Sequence, residues 1–133
     1  MDITISTVQA KYPVTIFKIN GFLNLGTSSQ LEEQAREIYN SGARYLLLDL
    51  ANVTSLSSAG LRAILYIYKL FEIEPETADP DIHKDKVRKQ VGKSTHIKIV
   101  NPRPEIRRIL EISGFVQFIE IFENTDKALN SIS

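Results

Sequence analysis

Two serines at the predicted start of an apolar helix are the residues of this sequence with the clearest chemical potential. Ser57 and Ser58 follow a nearly continuous apolar strand, predicted at residues 44–50, which ends at the carboxylate of Asp49 and passes into a polar loop. The helix predicted after them runs from about Ser58 to Phe71. Helix N-termini carry unpaired N–H groups and partial positive charge, so a serine there either caps the helix or accommodates a phosphate. Ser57 could cap while Ser58 stays free, or the reverse, and capping is the commoner role of such pairs.

The hydrophobic patterns predict an α/β fold, a mostly parallel sheet with helices packed on it, in the order ββαβαβαβα. Residues 3–8 and 14–19 predict an N-terminal hairpin whose second strand closes at Asn20-Gly21. The first helix is expected to cover residues 30–39, capped by Thr27, Ser28 or Ser29. The remaining predicted elements are a strand at 96–100, a helix from Pro104 to Leu110 or Ile112 stopped by Gly114, a strand at 118–122, and a helix through Leu129 capped by Asn124 or Thr125.

A charged insertion is predicted at residues 72–95, between the second helix and the fourth strand. Acidic residues dominate its first half and basic residues its second half. Its length far exceeds that of common connections, which have about 4–6 residues. We expect a solvated loop whose halves attract each other, with a short helix around residues 81–91 as the alternative.

Composition indicates one domain spanning residues 1–133, because the chain has the length and the 43% hydrophobic content of an ordinary globular domain. The absence of cysteine excludes disulfides and thiolate sites. Zero net charge and the lack of a basic stretch interleaved with aromatic residues argue against nucleic-acid binding. The sequence shows no signal peptide and no apolar run near the roughly 20 residues of a membrane span, which predicts a cytoplasmic protein.

Enzymatic signatures are missing from the sequence. The two histidines, His83 and His96, have no metal-ligand spacing, and no Ser-His-Asp arrangement or Gly-rich phosphate loop is recognisable. The segment from Gly21 to Gly26 contains no dinucleotide fingerprint. We therefore expect a protein that is not an enzyme and that needs no cofactor or metal.

Three segments in order resemble motifs of one known family. Gly21-Phe22-Leu23-Asn24 precedes the first helix, residues 46–61 contain the Ser57-Ser58-Ala59-Gly60-Leu61 turn, and residues 100–114 form an Asn-Pro-x-Pro stretch ending at a glycine. Together they resemble the STAS family, in its bacterial anti-sigma-factor-antagonist form.

The resemblance implies a phosphorylation-controlled binding protein. The dephosphorylated domain would bind an anti-sigma factor that is also its serine kinase, phosphorylation of the matching Ser58 (alternatively Ser57) would break that complex, and a phosphatase would restore it. The matching partner-binding residues are Asn24, Thr27, Ser28, Ser57, Ser58, Ala59, Gly60, Leu61 and Arg62. Two departures reduce local acidity: Ser57 and Asn24 stand where many relatives have Asp, which leaves Asp49 as the nearest matched carboxylate.

Two other functions remain open at this stage. One is a non-phosphorylated STAS scaffold that docks on a transporter or a signalling complex, favoured by the two departures and the insertion. The other is a domain that binds a nucleotide or small anionic ligand at the helix N-terminus. The sequence also leaves open a homodimer.

Overall fold

The structure, a computed structural model, describes residues 2–72 and 93–132. The predicted charged insertion and the alternative helix around residues 81–91 therefore lie almost wholly outside the described residues. Among those residues, no helix is long and apolar enough to cross a membrane.

A five-stranded sheet is the centre of the described structure. Its strands lie in chain order and are β1 (Asp2–Gln9), β2 (Pro13–Leu23), β3 (Leu46–Leu56), β4 (Ile97–Val100) and β5 (Glu120–Phe122). The β1–β2 hairpin is antiparallel and every other pairing is parallel. The predicted hairpin and mostly parallel sheet are thus confirmed. Because β2 to β5 run in one direction, the sheet has an amino edge, where these strands begin, and a carboxyl edge, where they end.

Helices cover both faces of the sheet. They are α1 (Leu25–Asn40), α2 (Ser58–Glu72), α3 (Pro104–Ile112) and α4 (Thr125–Ser131), with a 3-10 helix at Phe115–Gln117. The main core includes Leu31 of α1, Ile64 of α2 and Leu110 of α3, whereas α4 covers a smaller cluster that contains Leu47 and Ala128. Alternate residues of β3 enter these two clusters, so its central part is buried on both sides.

Both central strands extend further than the sequence predicted. We expected β2 to close at Asn20-Gly21 and β3 to give way to a polar loop after residue 50, but the strands continue, paired, to Leu23 and Leu56. The register between β2 and β3 shifts after Asp49 and again after Val53, each time with one extra residue in β3, which indicates two bulges in that strand. Bulges break the regular alternation of buried and exposed side chains, and this is why the polar end of β3 resembled a loop.

The first helix begins earlier than predicted. Its N-cap is Asn24 rather than Thr27, Ser28 or Ser29, so α1 starts at Leu25. Asn24 was missed as a cap because the apolar periodicity becomes regular only from Leu31 onward.

The other helix boundaries follow the predictions. Helix α2 starts at Ser58, Asn124 caps α4, and Gly114, with a φ of +84°, follows the end of α3. The last strand is shorter than predicted, because Phe118 donates its N–H to the carbonyl of Phe115 and closes a 3-10 turn. Its ring packs 4.8 Å from the ring of Tyr68.

Candidate functional site

An open groove lies at the carboxyl edge, where the starts of α1 and α2 meet. Its volume is about 620 Å³, and we call it the Ser58 groove. The residues that line it are Asn24, Leu25, Gly26, Ser57, Ser58, Ala59 and Arg62. Residues from two strand-to-helix turns, more than 30 positions apart in the chain, therefore form one surface.

Ser57 caps helix α2. Its hydroxyl accepts a hydrogen bond from the N–H of Gly60 at 3.3 Å, and its carbonyl accepts the N–H of Leu61 at 2.9 Å. A serine that accepts an N–H of the first helical turn satisfies one of the otherwise unpaired donors of the helix. The structure thereby decides between the two roles that the sequence left open, because capping belongs to Ser57.

Ser58 is exposed at the first position of α2. No hydrogen bond from its hydroxyl is found among residues 2–72 and 93–132. Since the neighbouring serine supplies the cap, the Ser58 hydroxyl is left available on the surface of the groove. Its modification would therefore break no described intramolecular hydrogen bond.

The start of α1 forms a rigid wall of the groove. The side chain of Asn24 accepts the N–H of Gly26 at 3.0 Å, and the N–H of Asn24 donates to the hydroxyl of Thr27 at 3.0 Å. That hydroxyl also donates to the carbonyl of Phe22 at 2.8 Å. These bonds form a capping box, which fixes the entry of the chain into the helix. Leu25 projects from this ordered turn with 77% of its surface exposed.

The two helix starts are joined through the end of β2. The N–H of Ser57 donates to the carbonyl of Leu23 at 3.0 Å, which extends the β2–β3 pairing by one residue. Gly60 packs against the same carbonyl, since a Cβ built on Gly60 would lie only 2.5 Å from it. The glycine therefore permits a close approach of α2 to β2 that a larger side chain would prevent.

The electrostatic character of the Ser58 groove is positive. Neither α1 nor α2 has an acidic residue in its first turn, so the positive ends of both helix dipoles are uncompensated from within their own helices. Arg62 is the one charged residue among the seven that line the groove. An anionic group at this surface would meet a favourable potential.

Asp49, the nearest carboxylate matched by the resemblance, does not line this surface. It lies seven residues before Leu56 along β3, which corresponds to roughly 20 Å at the rise of a strand. Its carboxylate accepts the N–H of Ala51 at 3.0 Å, at the first bulge, while Arg103 donates from Nε to the carbonyl of Ala51 at 3.0 Å. Asp49 and Arg103 thus supply hydrogen-bond partners to the N–H and carbonyl of Ala51, which the bulge removes from the regular pairing between strands.

The structure brings together most of the predicted partner-binding residues. Asn24, Ser57, Ser58, Ala59 and Arg62 line the groove. The other four lie beneath or behind it: Thr27 and Ser28 bond within the first turn of α1, Gly60 is buried against Leu23, and Leu61 packs on the core. Sequence reasoning missed Leu25 and Gly26. The signal that could have found them was Asn24, since asparagine is a favoured N-cap and places the next two residues in the exposed first turn.

Comparison with known proteins yields one family. Residues 6–74, just over half of the chain, match the model of the STAS domain. BtrV of Bordetella bronchiseptica, provisionally named an anti-sigma factor antagonist, is 26% identical over 110 residues, which cover 83% of this chain and 78% of BtrV. The anti-sigma F factor antagonist of Paenibacillus polymyxa is 25% identical over 120 residues, covering 90% and 86% of the two chains.

Solved structures show the same fold. The anti-sigma factor antagonist SpoIIAA, a Bacillus cell fate determinant, has been solved in unphosphorylated and phosphorylated forms, each 12% identical to this chain. The TM-scores are 0.59 and 0.62, with 95% and 99% of this chain covered and 92% and 100% of the SpoIIAA chains. The motifs, the topology and the matched residues lead to the same conclusion: the chain belongs to the STAS domain family.

Proposed function

We propose that this chain is a cytoplasmic anti-sigma factor antagonist, a binding protein rather than an enzyme. In its unmodified form it binds an anti-sigma factor that is also a serine kinase, through the Ser58 groove. The kinase transfers the γ-phosphoryl group of ATP to the oxygen of Ser58, which loses its proton, and ADP is released. The phosphorylated chain then leaves the complex, and a phosphatase restores the unmodified serine.

The observation that carries this proposal is that the two neighbouring serines have different roles, one as a helix cap and one as an exposed hydroxyl. Ser57 holds the start of α2 through its bond to the N–H of Gly60, and Ser58 presents a free, exposed hydroxyl in the groove. A modified residue of a reversible switch must change the surface without unfolding the domain. Ser58 meets this requirement without any change to the cap, whereas modification of Ser57 would alter the group that caps α2.

The charge of the groove supports the direction of the switch. A phosphate adds about −1.5 to −2 charges at neutral pH, more than the single positive charge of Arg62. A surface that attracts acidic groups would become one that repels them. The positive N-terminus of α2, which no acidic residue of the first turn offsets, stabilises the added negative charge. The phosphate should therefore reduce the stability of the folded chain only slightly.

The relatives support the identity of the partner. Two sequence relatives carry the name anti-sigma factor antagonist, and the fold is shared with SpoIIAA, which exists in a phosphorylated form. An anti-sigma factor is therefore the class of partner that we propose for this chain.

Calorimetric titration tests the proposal. The kinase, captured from the source cell with the unmodified chain and purified, is titrated with wild type, Ser58→Ala and Ser58→Asp. Ser58→Ala should bind within about twofold of wild type, because a small hydroxyl is removed from an open surface, whereas Ser58→Asp should bind at least about tenfold more weakly. Ser6→Asp, on the exposed face of β1, is the control for added charge. Equal binding by all variants would overturn the switch and would favour a non-phosphorylated scaffold.

A further inference from the structure

Ser58 and Arg62 lie four residues apart on α2, and both line the groove. Residues at this spacing are neighbours on a helix surface, with about 5–6 Å between their Cβ atoms. Side chains on a helix lean toward its N-terminus. This geometry allows the guanidinium of Arg62 to reach back to the turn that contains Ser58, and both side chains are exposed.

Arg62 has no competing ion pair in the described part of the chain, since the ion pairs found there involve other residues. One turn further along α2, the hydroxyl of Tyr66 bonds to Arg36 at 3.2 Å, and no hydrogen bond from Arg62 to it is found among the described residues. The first turns of α1 and α2 contain no carboxylate. The charge of Arg62 is thus available to an anion that arrives from outside.

We propose that Arg62 has two alternative anionic partners: the phosphate of modified Ser58, and an acidic group of the bound protein when Ser58 is unmodified. This inference rests on the proposed function for its second half and extends it to the mechanism of release. Phosphorylation then acts twice. It adds negative charge to the groove, and it engages the cation that the partner needs.

The kind of partner surface follows from the same residues. Leu25, presented on the rigid capping box, lines the groove together with Arg62. A preorganised apolar side chain beside a cation fits a partner that has an apolar depression next to an aspartate or glutamate. Such a contact loses its charge complementarity when the cation turns to a phosphate four residues away.

The first experiment needs no partner. Phosphoserine is incorporated at position 58, and the second ionisation of its phosphate is followed by phosphorus NMR. A nearby cation favours the dianion, so replacing Arg62 by Gln should raise the phosphate pKa by about 0.5, from a value near or below 6. Arg62→Lys should restore part of the shift, since lysine keeps the charge but loses the planar fork. Lys69→Gln, two turns further along the exposed face of α2, is the control and should leave the pKa unchanged.

The second experiment measures the binding of the unmodified chain to the captured kinase. Arg62→Gln should weaken binding by about three- to tenfold and reduce its dependence on salt, with Arg62→Lys close to wild type. A phosphate pKa that does not respond to Arg62→Gln would overturn the internal pair while leaving partner switching intact. A normal kinase affinity of Arg62→Gln would overturn the competition. Equal binding by Ser58→Ala and Ser58→Asp would instead count against the proposed function, and the phosphorus measurement would still stand.

Discussion

The two edges of the parallel sheet are built in contrasting ways. At the carboxyl edge, Asn24 and Ser57 cap the helices through hydrogen bonds to backbone groups, and Leu25, Ser58 and Arg62 beside them remain exposed. At the amino edge, polar side chains are buried and bonded to one another. Ser94 is only 1% exposed and Lys98 only 5%.

The amino edge is held by a connected polar network and a stack of rings. The hydroxyl of Ser94 accepts the N–H groups of His96 and Ile97 at 3.1 and 3.0 Å and donates to the carboxylate of Glu72. Lys98 donates to the carbonyl of Ser94 at 3.2 Å and lies 3.5 Å from the carboxylate of Glu120. The rings of Tyr12, Tyr45 and His96 stack beside this network, with centroids 4.9 and 5.1 Å apart.

The contrast shows how one small domain separates recognition from stability. The capping side chains bond to backbone N–H groups, so they hold the helix starts in place while neighbouring side chains stay free to contact a partner. At the amino edge, the polar side chains are themselves bonded within the fold. A modification at the carboxyl edge can therefore change binding at little cost to the fold, while a similar change at the amino edge should reduce stability. The following substitutions test this separation.

The largest effect is expected where the carboxyl edge does contribute to stability, at Gly60. An alanine Cβ there would lie 2.5 Å from the carbonyl of Leu23 and 2.8 Å from the Cδ1 of Leu56. Gly60→Ala should lower the free energy of unfolding by about 3 kcal/mol, despite the better helix propensity of alanine. Urea denaturation measures the loss. Gly26→Ala is the matched control, because its nearest contact is 3.5 Å and the substitution should be neutral or slightly stabilising.

A loss of about 2 kcal/mol is expected for Ser94→Ala at the amino edge. The substitution leaves the N–H groups of His96 and Ile97 without the hydroxyl that accepts them, and both Ser94 and Ile97 are buried. Thr95→Ala, at the exposed neighbouring position, should change the free energy of unfolding by less than about 0.5 kcal/mol. Equal stability of the two variants would show that the network does not hold this edge.

Ser57→Ala and Ser58→Ala should separate stability from binding within the carboxyl edge. Loss of the cap at Ser57 should cost about 1 kcal/mol of unfolding free energy, and loss of the free hydroxyl at Ser58 almost nothing. Urea denaturation of the two variants measures both losses. A larger loss for Ser58→Ala than for Ser57→Ala would reverse the roles that the geometry assigns to the two serines.

The order of elements and most residues of the groove could be predicted from the sequence. The geometry of the strands and turns that form the groove could not. The order of elements along the chain, the α2 start and the Gly114 stop depend on local patterns, such as apolar periodicity and the left-handed freedom of glycine. The backbone at the first bulge of β3 is bonded by Asp49 and Arg103, and Arg103 lies 52 residues after Ala51, whose carbonyl it contacts. No local pattern encodes such a contact, so the first bulge and the continuation of β3 beyond residue 50 could not be predicted from the sequence.

The assignment of the cap was undetermined for a similar reason. Ser57 and Ser58 are identical in type, and the choice between them depends on Leu23, whose carbonyl accepts the N–H of Ser57 across the β2–β3 pairing. That pairing depends in turn on both bulges in β3. The resemblance therefore identified the serine pair, and only the tertiary structure distinguished its members.

The smallest effect is expected from the titration of Tyr45 at the amino edge. Burial, and secondarily the charge of Tyr12, raises the pKa of Tyr45 above the ordinary tyrosine value of about 10. The stabilisation due to this group is complete below the unfolded pKa and is lost as pH rises through the folded pKa, because the folded chain retains the proton that the unfolded chain releases. The free energy of unfolding should fall above about pH 10, and Tyr45→Phe should make that fall shallower.

Tyr12→Phe, which removes the smaller cause of the raised pKa of Tyr45, should change the slope less, and both rings remain able to stack. Urea denaturation at pH 8, 10 and 11 provides the comparison, and an unchanged alkaline slope in Tyr45→Phe would exclude this tyrosine as a source of pH dependence.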